Sequence, residues 1–306
     1  MTQTMTERRP LNPLQWPGGK TRAVPILQAA LLKALEGSRA DICSPFIGGG
    51  SFELFCANKL NLRIKASDSD ADLINFWCAM KETRALLIQG AHVERKKLEA
   101  CSTLKLKRET CYHVWLKNMG DMNLTKLDRA VAFLCVNRTS YSGMMASRGY
   151  SDKSARAMLT HDKIARLNDV GLDNITFEHA DFEDAIRRHG AKCFLFLDPP
   201  YYLGAVGSRI YRGHKSFDHQ RLAHVLLSTT LPRGWLLCYN NCAYITNLYK
   251  QCPVQVTDWA YGRKARKEDE TGKELLIFAP TRGKQQTAEE ADELSLADSL
   301  ANVCLI

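Results

Sequence analysis

The chain holds 306 residues, with 42 Lys and Arg against 33 Asp and Glu, a formal charge of +9 and a pI near 9.0. Such a length suits one large α/β domain with an insertion, and the charge favours a polyanionic partner while also occurring in proteins that bind none. Eleven cysteines at irregular spacing, without a Cys-x-x-Cys pair or a paired His nearby, argue against a zinc site and for a reducing compartment; no apolar run nears membrane length, so a cytoplasmic or nucleoid protein is expected.

Residues 14–21 read Leu-Gln-Trp-Pro-Gly-Gly-Lys-Thr. The ending looks like a phosphate loop, but the required earlier glycine is Leu14 and no strand precedes it, which excludes that reading. A helix fits residues 22–36, with Ile26, Leu27, Ala30, Leu31 and Ala34 on one side and Gly37 as its stop. Lys20, just before it, is placed to reach a carboxylate, or is simply solvated. Residues 41–51 form a short strand, then the glycine turn Phe46-Ile47-Gly48-Gly49-Gly50, then an apolar helix starting near Phe52. Glycines at such a turn let a ligand approach the backbone and the helix N–H groups. A second strand over residues 62–68 ends in Asp68, where a ribose hydroxyl is held in nucleoside-binding crossover units. The series indicates an adenosine-containing cofactor.

Residues 79–175 interrupt the alternation with helical patterns over 83–89, 94–112 and 128–137, followed by a polar loop over 138–153. A basic insertion of this kind fits a target-recognition domain, a lid or a dimer contact. Strands resume at 175–179, 193–197 and 234–240, and residues 254–259 and 274–278 pair as an edge hairpin. The run Cys193 to Leu197 has the character of a strand buried on both faces and stops at Asp198-Pro199-Pro200-Tyr201. Two prolines carry the chain rigidly off the strand's carboxyl end, where ligands sit in open α/β sheets. An exocyclic amine on a base ring is a poor nucleophile because its lone pair is delocalised. Asp198 and the Pro199 carbonyl can accept its two hydrogens while Tyr201 stacks on the base. An ordinary Asp-Pro turn is the alternative. The basic loop 263–267 is either solvated or a phosphate contact, and the tail beyond 283 turns acidic without an assigned role.

Six ordered segments carry a resemblance: residues 16–20, 45–50, 68–75, 137–143, Asp181-Phe182 and 198–201. With them the chain resembles the Dam-type (D12 class) adenine-specific DNA methyltransferases. The resemblance implies a Rossmann-like class I α/β sheet with helices on both faces, formed by residues 1–78 and 176–283. It also implies a mainly helical target-recognition insertion at 79–175, leaving 284–306 as an acidic tail. It implies S-adenosylmethionine as cofactor, around Trp16, Pro17, Gly18, Lys20, Phe46, Gly48, Gly50, Ser51, Asp68, Asp181, Phe182 and Asp198, with Asp198, Pro199, Pro200 and Tyr201 catalytic. Double-stranded DNA, in a bacterial nucleoid or a phage-infected cell, is the implied partner, with Gln15, Arg138, Tyr141, Ser142 and Arg148 as candidate contacts and Tyr141 as a wedge beside a flipped base. Arg138 buried against the insertion's acids is the alternative for that residue.

The chain also departs from the family. Ser44 stands where relatives carry Glu before Pro-Phe, Gln15 where many carry Lys, and Ser142 and Ala146 where Dam proteins carry Asn and Arg. No Pro-Cys dipeptide serves cytosine C5 methylation and no H-x-E with P-C-x-x-C serves deamination. Methylation of cytosine N4, of RNA adenine or of a protein amide stays open beside DNA adenine, as does a silent DNA-binding relative.

Overall fold

The computed structural model describes residues 12–145, 149–202, 217–258 and 273–280. A 3-10 turn at Lys20–Arg22 leads into α1 (Val24–Leu35), which has Pro25 in its first turn, where its missing N–H is no loss. Then come β1 (Ile42–Ser44), α2 (Ser51–Lys59), β2 (Ile64–Asp68) and α3 (Ala71–Glu82). The Asp70 carboxylate caps α3, accepting from the N–H groups of Asp72 and Leu73 at 3.0 and 3.1 Å. The middle of the chain is helical: α4 (Arg84–Ala100), α5 (Leu104–Leu106), a π-helical turn at Lys107–Tyr112, α6 (His113–Met119), α7 (Lys126–Thr139), α8 (Asp152–Met158) and α9 (His161–Ala165). Alternation returns with β3 (Ile175–His179), α10 (Phe182–His189), β4 (Phe194–Leu197), α11 (His219–Ser228), β5 (Trp235–Asn240), α12 (Ala243–Leu248), β6 (Val254–Asp258) and β7 (Lys273–Phe278).

The seven strands form one sheet in the order β3-β2-β1-β4-β5-β7-β6. The first five are parallel, and β7 runs antiparallel to both β5 and β6. Side chains of β4 alternate between two cores: Phe194 and Phe196 join α1, α2, α3 and α7 on one face, while Leu195 and Leu197 join α10, α11 and α12 on the other. This is the Rossmann-like arrangement expected from the sequence. From β1 the chain winds toward β3, and from β4 it winds the other way. The reversal opens a crevice at the carboxyl ends of β1 and β4, which brings the glycine turn and Asp198 side by side.

The helices of 79–175 do not close a core of their own. Leu87, Trp115, Phe133 and Leu134 belong to the same apolar cluster as Phe52, Trp77 and Phe196. The helix expected over 94–112 is divided: α4 ends at Ala100, and the Thr103 hydroxyl caps a new start by accepting from the Leu106 N–H at 3.2 Å. Local hydrogen bonding of a threonine at a helix start outweighs the continuous periodicity there. Arg148, Ala146, the basic loop 263–267 and the acidic tail lie outside the described residues. Among the described residues no helix is long and apolar enough to cross a membrane.

Candidate active site

Asp198 leaves the end of β4 and meets Lys20, whose ammonium donates to both carboxylate oxygens at 2.7 Å and to the Gly18 carbonyl at 2.9 Å. Lys20 is 3% exposed and Asp198 22% exposed, so the pair is largely shielded from water. Burial raises the Asp198 carboxyl above the ordinary range, and the Lys20 charge and hydrogen bonds pull part of that back. The same ammonium lies 4.9 Å from the centre of the Tyr201 ring. The Tyr201 hydroxyl donates to the carboxylate of Glu274, a buried acid on β7. The loop is fixed once more where Asn240, at the end of β5, donates to the Tyr202 carbonyl at 2.8 Å.

The glycine turn is shaped by two tryptophans. At Gly48, which has φ +45°, an added Cβ would lie 2.6 Å from Trp16 Nε1, and at Gly50, with φ +68°, it would lie 2.9 Å from the Trp77 ring. Neither position accepts a side chain, for steric and conformational reasons together. Trp77 donates to the Gly48 carbonyl at 3.1 Å and so locks the turn onto α3. Asp68, at the end of β2, accepts from the N–H groups of Gly48 at 3.2 Å and Asp70 at 3.0 Å. Enclosure by protein drives its carboxyl up to about 6 against those donors.

Beyond β3, the Asp181 carboxylate caps α10 through the Glu183 N–H and receives Arg221 of α11 at 2.6 Å. The Arg221 guanidinium lies over the Phe182 ring at 4.3 Å, and Phe46, Phe182 and Phe217 form a cluster with each pair of ring centres 5.6 Å apart. A cavity of about 270 Å³ connects these parts. Its walls include every residue expected around the cofactor: Trp16, Pro17, Gly18, Lys20, Phe46, Gly48, Gly50, Ser51, Asp68, Asp181, Phe182 and Asp198, together with Pro200. They also include Glu53, Phe217 and Arg221, which sequence reasoning missed. Glu53 left one signal, an acid inside the apolar run of α2; Arg221 comes from a helix distant in sequence and left none. No group of His, Cys, Asp and Glu suited to a metal occurs among the described residues.

The expected DNA contacts separate. Arg138 is 2% exposed, and its guanidinium donates to the carbonyls of Pro13 at 2.9 and 3.0 Å, Met158 at 3.3 Å and Lys163 at 3.1 Å. Burial lowers it to about 10. It therefore cannot reach a base, and it is anchored by carbonyls instead of by the insertion's acids. Gln15 is held through its backbone, donating to Asn137 Oδ1 at 2.9 Å and accepting from Asn137 Nδ2 at 2.7 Å. Its side-chain amide reaches the Arg138 carbonyl at 3.4 Å. Tyr141, 42% exposed, and Ser142, with φ +53°, stand outward. The next residue, Gly143, packs so closely on the Gln15 carbonyl that an added Cβ would lie 2.1 Å from it. The outward loop thus rests on the segment that supplies Trp16 to the cavity.

Comparison with known proteins is consistent with this geometry. The chain is 26% identical over 202 residues to the type II methyltransferase M.MjaIII of Methanocaldococcus jannaschii, covering 61% of this chain and 68% of the relative. Among solved structures, precorrin-8w decarboxylase of Methanobacterium thermoautotrophicum aligns over 89% of this chain and 99% of its own, at 10% identity and a TM-score of 0.36, a score that decides nothing about fold or function. The model of the D12 class N6 adenine-specific DNA methyltransferases matches residues 16–265. That span runs from Trp16 through the glycine turn and Asp68 to the Asp198 loop and beyond, and the chain belongs to this family.

Proposed function

We propose that the cavity holds S-adenosylmethionine and that Asp198 presents the N6 amine of a flipped adenine to it. The residues fit that cofactor: the backbone of the turn at Gly48 and Gly50 lines the cavity, Asp68 offers a charged acceptor to ribose hydroxyls, and Phe46 and Phe182 give the wall an aromatic part for the adenine ring. When bound, the cofactor supplies an electrophilic methyl group on its sulfonium. Everything else is performed by the chain. The Asp198 carboxylate and the Pro199 carbonyl accept the two amine hydrogens, so the nitrogen pyramidalises and its lone pair points at the methyl group. Lys20 holds both Asp198 oxygens in place and keeps them charged. Burial has already raised the basicity of Asp198, which makes it the acceptor for the proton the methylated amine sheds. Tyr201, tethered by Glu274, stacks on the base.

The insertion 79–175 reads double-stranded DNA on this account, with Tyr141 as the wedge and Ser142 and Gln15 beside it. Arg138 is internal, and no arginine replaces Ala146, so a bidentate guanine contact worth roughly 1–3 kcal/mol is missing and the site differs from GATC or is relaxed. The protein works where cellular or phage DNA is accessible, in the cytoplasm.

The observation that carries the reading is the half-buried Asp198 carboxylate at the end of β4, opening onto the cavity and paired with Lys20. Asp198→Ala is expected to lower single-turnover methyl transfer by about 10²–10³ while cofactor binding persists. Labelled S-adenosylmethionine with DNA gives the rate and calorimetry gives the affinity. Transfer within threefold of wild type would remove Asp198 from the mechanism.

A further inference from the structure

Glu53 has no part in the chemistry above, yet it is an acid set into the wall of the cavity. It lies in the first turn of α2, is 4% exposed, and accepts a hydrogen bond from the Ser44 hydroxyl at 2.7 Å. Ser44 is the last residue of β1, so its hydroxyl holds the α2 carboxylate at the carboxyl end of that strand. Among the described residues no Lys, Arg or His forms an ion pair with Glu53. Lys20, whose charge reaches it, is bound to Asp198. Burial drives the Glu53 carboxyl up to about 7, the Ser44 hydroxyl and its own N–H lower it, and Asp198 pushes it further up. A buried acid without a counter-charge opposes folding. Its placement on a ligand cavity gives it a use that the fold does not.

We infer that Glu53 receives the α-ammonium group of the cofactor's amino acid portion, with Ser44 orienting its carboxylate. This rests on the cofactor proposed above. Phe182, Asp68, the glycine turn and Asp198 follow the strand order β3-β2-β1-β4 across the crevice, so adenine and ribose occupy the first two stations. The amino acid end then falls past the turn, beside α2, where Glu53 lies. The ligand brings two positive centres, sulfonium and ammonium, and the first belongs next to Asp198, where the target nitrogen arrives.

Three ligands separate the possibilities when their affinities for wild type and Glu53→Gln are measured by calorimetry. S-adenosylmethionine carries both charges, S-adenosylhomocysteine keeps the ammonium without the sulfonium, and methylthioadenosine has neither. Glu53→Gln is expected to weaken the first two by about tenfold or more, as for the loss of a charged hydrogen-bond partner, and to leave methylthioadenosine within about twofold. Ser44→Ala should follow the same pattern more weakly. Retained methylthioadenosine binding also shows that the variant's cavity is intact. Equal losses for all three ligands would mean that Glu53 only packs, and a loss confined to S-adenosylmethionine would make it a partner of the sulfonium; either result, or no loss at all, overturns the assignment. Failure of wild type to bind any of the three would instead contradict the proposed cofactor.

Discussion

Lys20→Met is the sharpest perturbation of the site. It removes the cation 2.7 Å from both oxygens of Asp198 while keeping the length and apolar stem of the side chain. Removing one partner of a buried pair costs roughly 3–5 kcal/mol, and the lower end applies because Asp198 keeps 22% exposure and can take up a proton. The pH dependence follows from the direction of the shift. Asp198 already sits above the ordinary carboxyl range, and loss of Lys20, the largest influence opposing burial, moves it further up. A carboxyl raised in the folded state contributes fully below its unfolded pKa and loses that contribution as pH rises through the folded value. The stability deficit of Lys20→Met should therefore be small in acid and grow toward alkaline pH, whereas its methyl transfer should recover as pH rises and Asp198 ionises. Thermal unfolding at a series of pH values, paired with single-turnover rates on DNA, measures both. A deficit independent of pH, together with an unmoved pH–rate profile, would show that Lys20 does not control the charge of Asp198.

Two further outcomes are expected. Asn137→Ala leaves an N–H and a carbonyl of Gln15 without their buried partner, at a cost of about 1–3 kcal/mol for each unsatisfied group; it should lower the denaturant midpoint and, by loosening Trp16, weaken cofactor binding, and unchanged affinity would show that Trp16 is held independently. Glu53→Gln should make the ligand-free protein more stable at neutral and alkaline pH. Its carboxyl is raised from 4.5 to about 7, so its contribution is present below the unfolded value and lost as pH climbs through the folded one, by roughly 3 kcal/mol, and an equal pH dependence in variant and wild type would contradict that burial.

Much of the sheet was readable because burial writes itself into sequence: the run ending at Leu197 is short and apolar throughout, and the strand before Asp68 places buried Ile64 and Ala66 between charged and polar residues. Strand starts were less so, since they depend on pairing. Leu62 and Arg63 precede the first bond to the β3 side, from the Ile64 N–H to the Asn174 carbonyl at 2.8 Å. The glycine turn and the Asp-Pro-Pro loop were legible because few residue types tolerate those backbones. The partners of polar side chains were not. Sequence left Lys20 between solvent and a carboxylate, and only the fold brings it 178 positions along the chain to Asp198. Arg138 illustrates the opposite failure: its charge suggested DNA, but the carbonyl ends of the segment at Pro13 and of two neighbouring helices converge on it. Arg221 and Glu274 likewise reach the site from elements whose own patterns speak only of a helix and an edge strand.

The role proposed for Asp198 is to direct methyl transfer to adenine N6 in DNA. Its most direct test is base analysis and site mapping of DNA from a methylation-free host that expresses either the wild-type chain or Asp198→Ala. N6-methyladenine is expected with wild type, at sites other than GATC alone, and none with the variant. Modification of cytosine N4 instead of adenine, or N6-methyladenine persisting with Asp198→Ala, would contradict it.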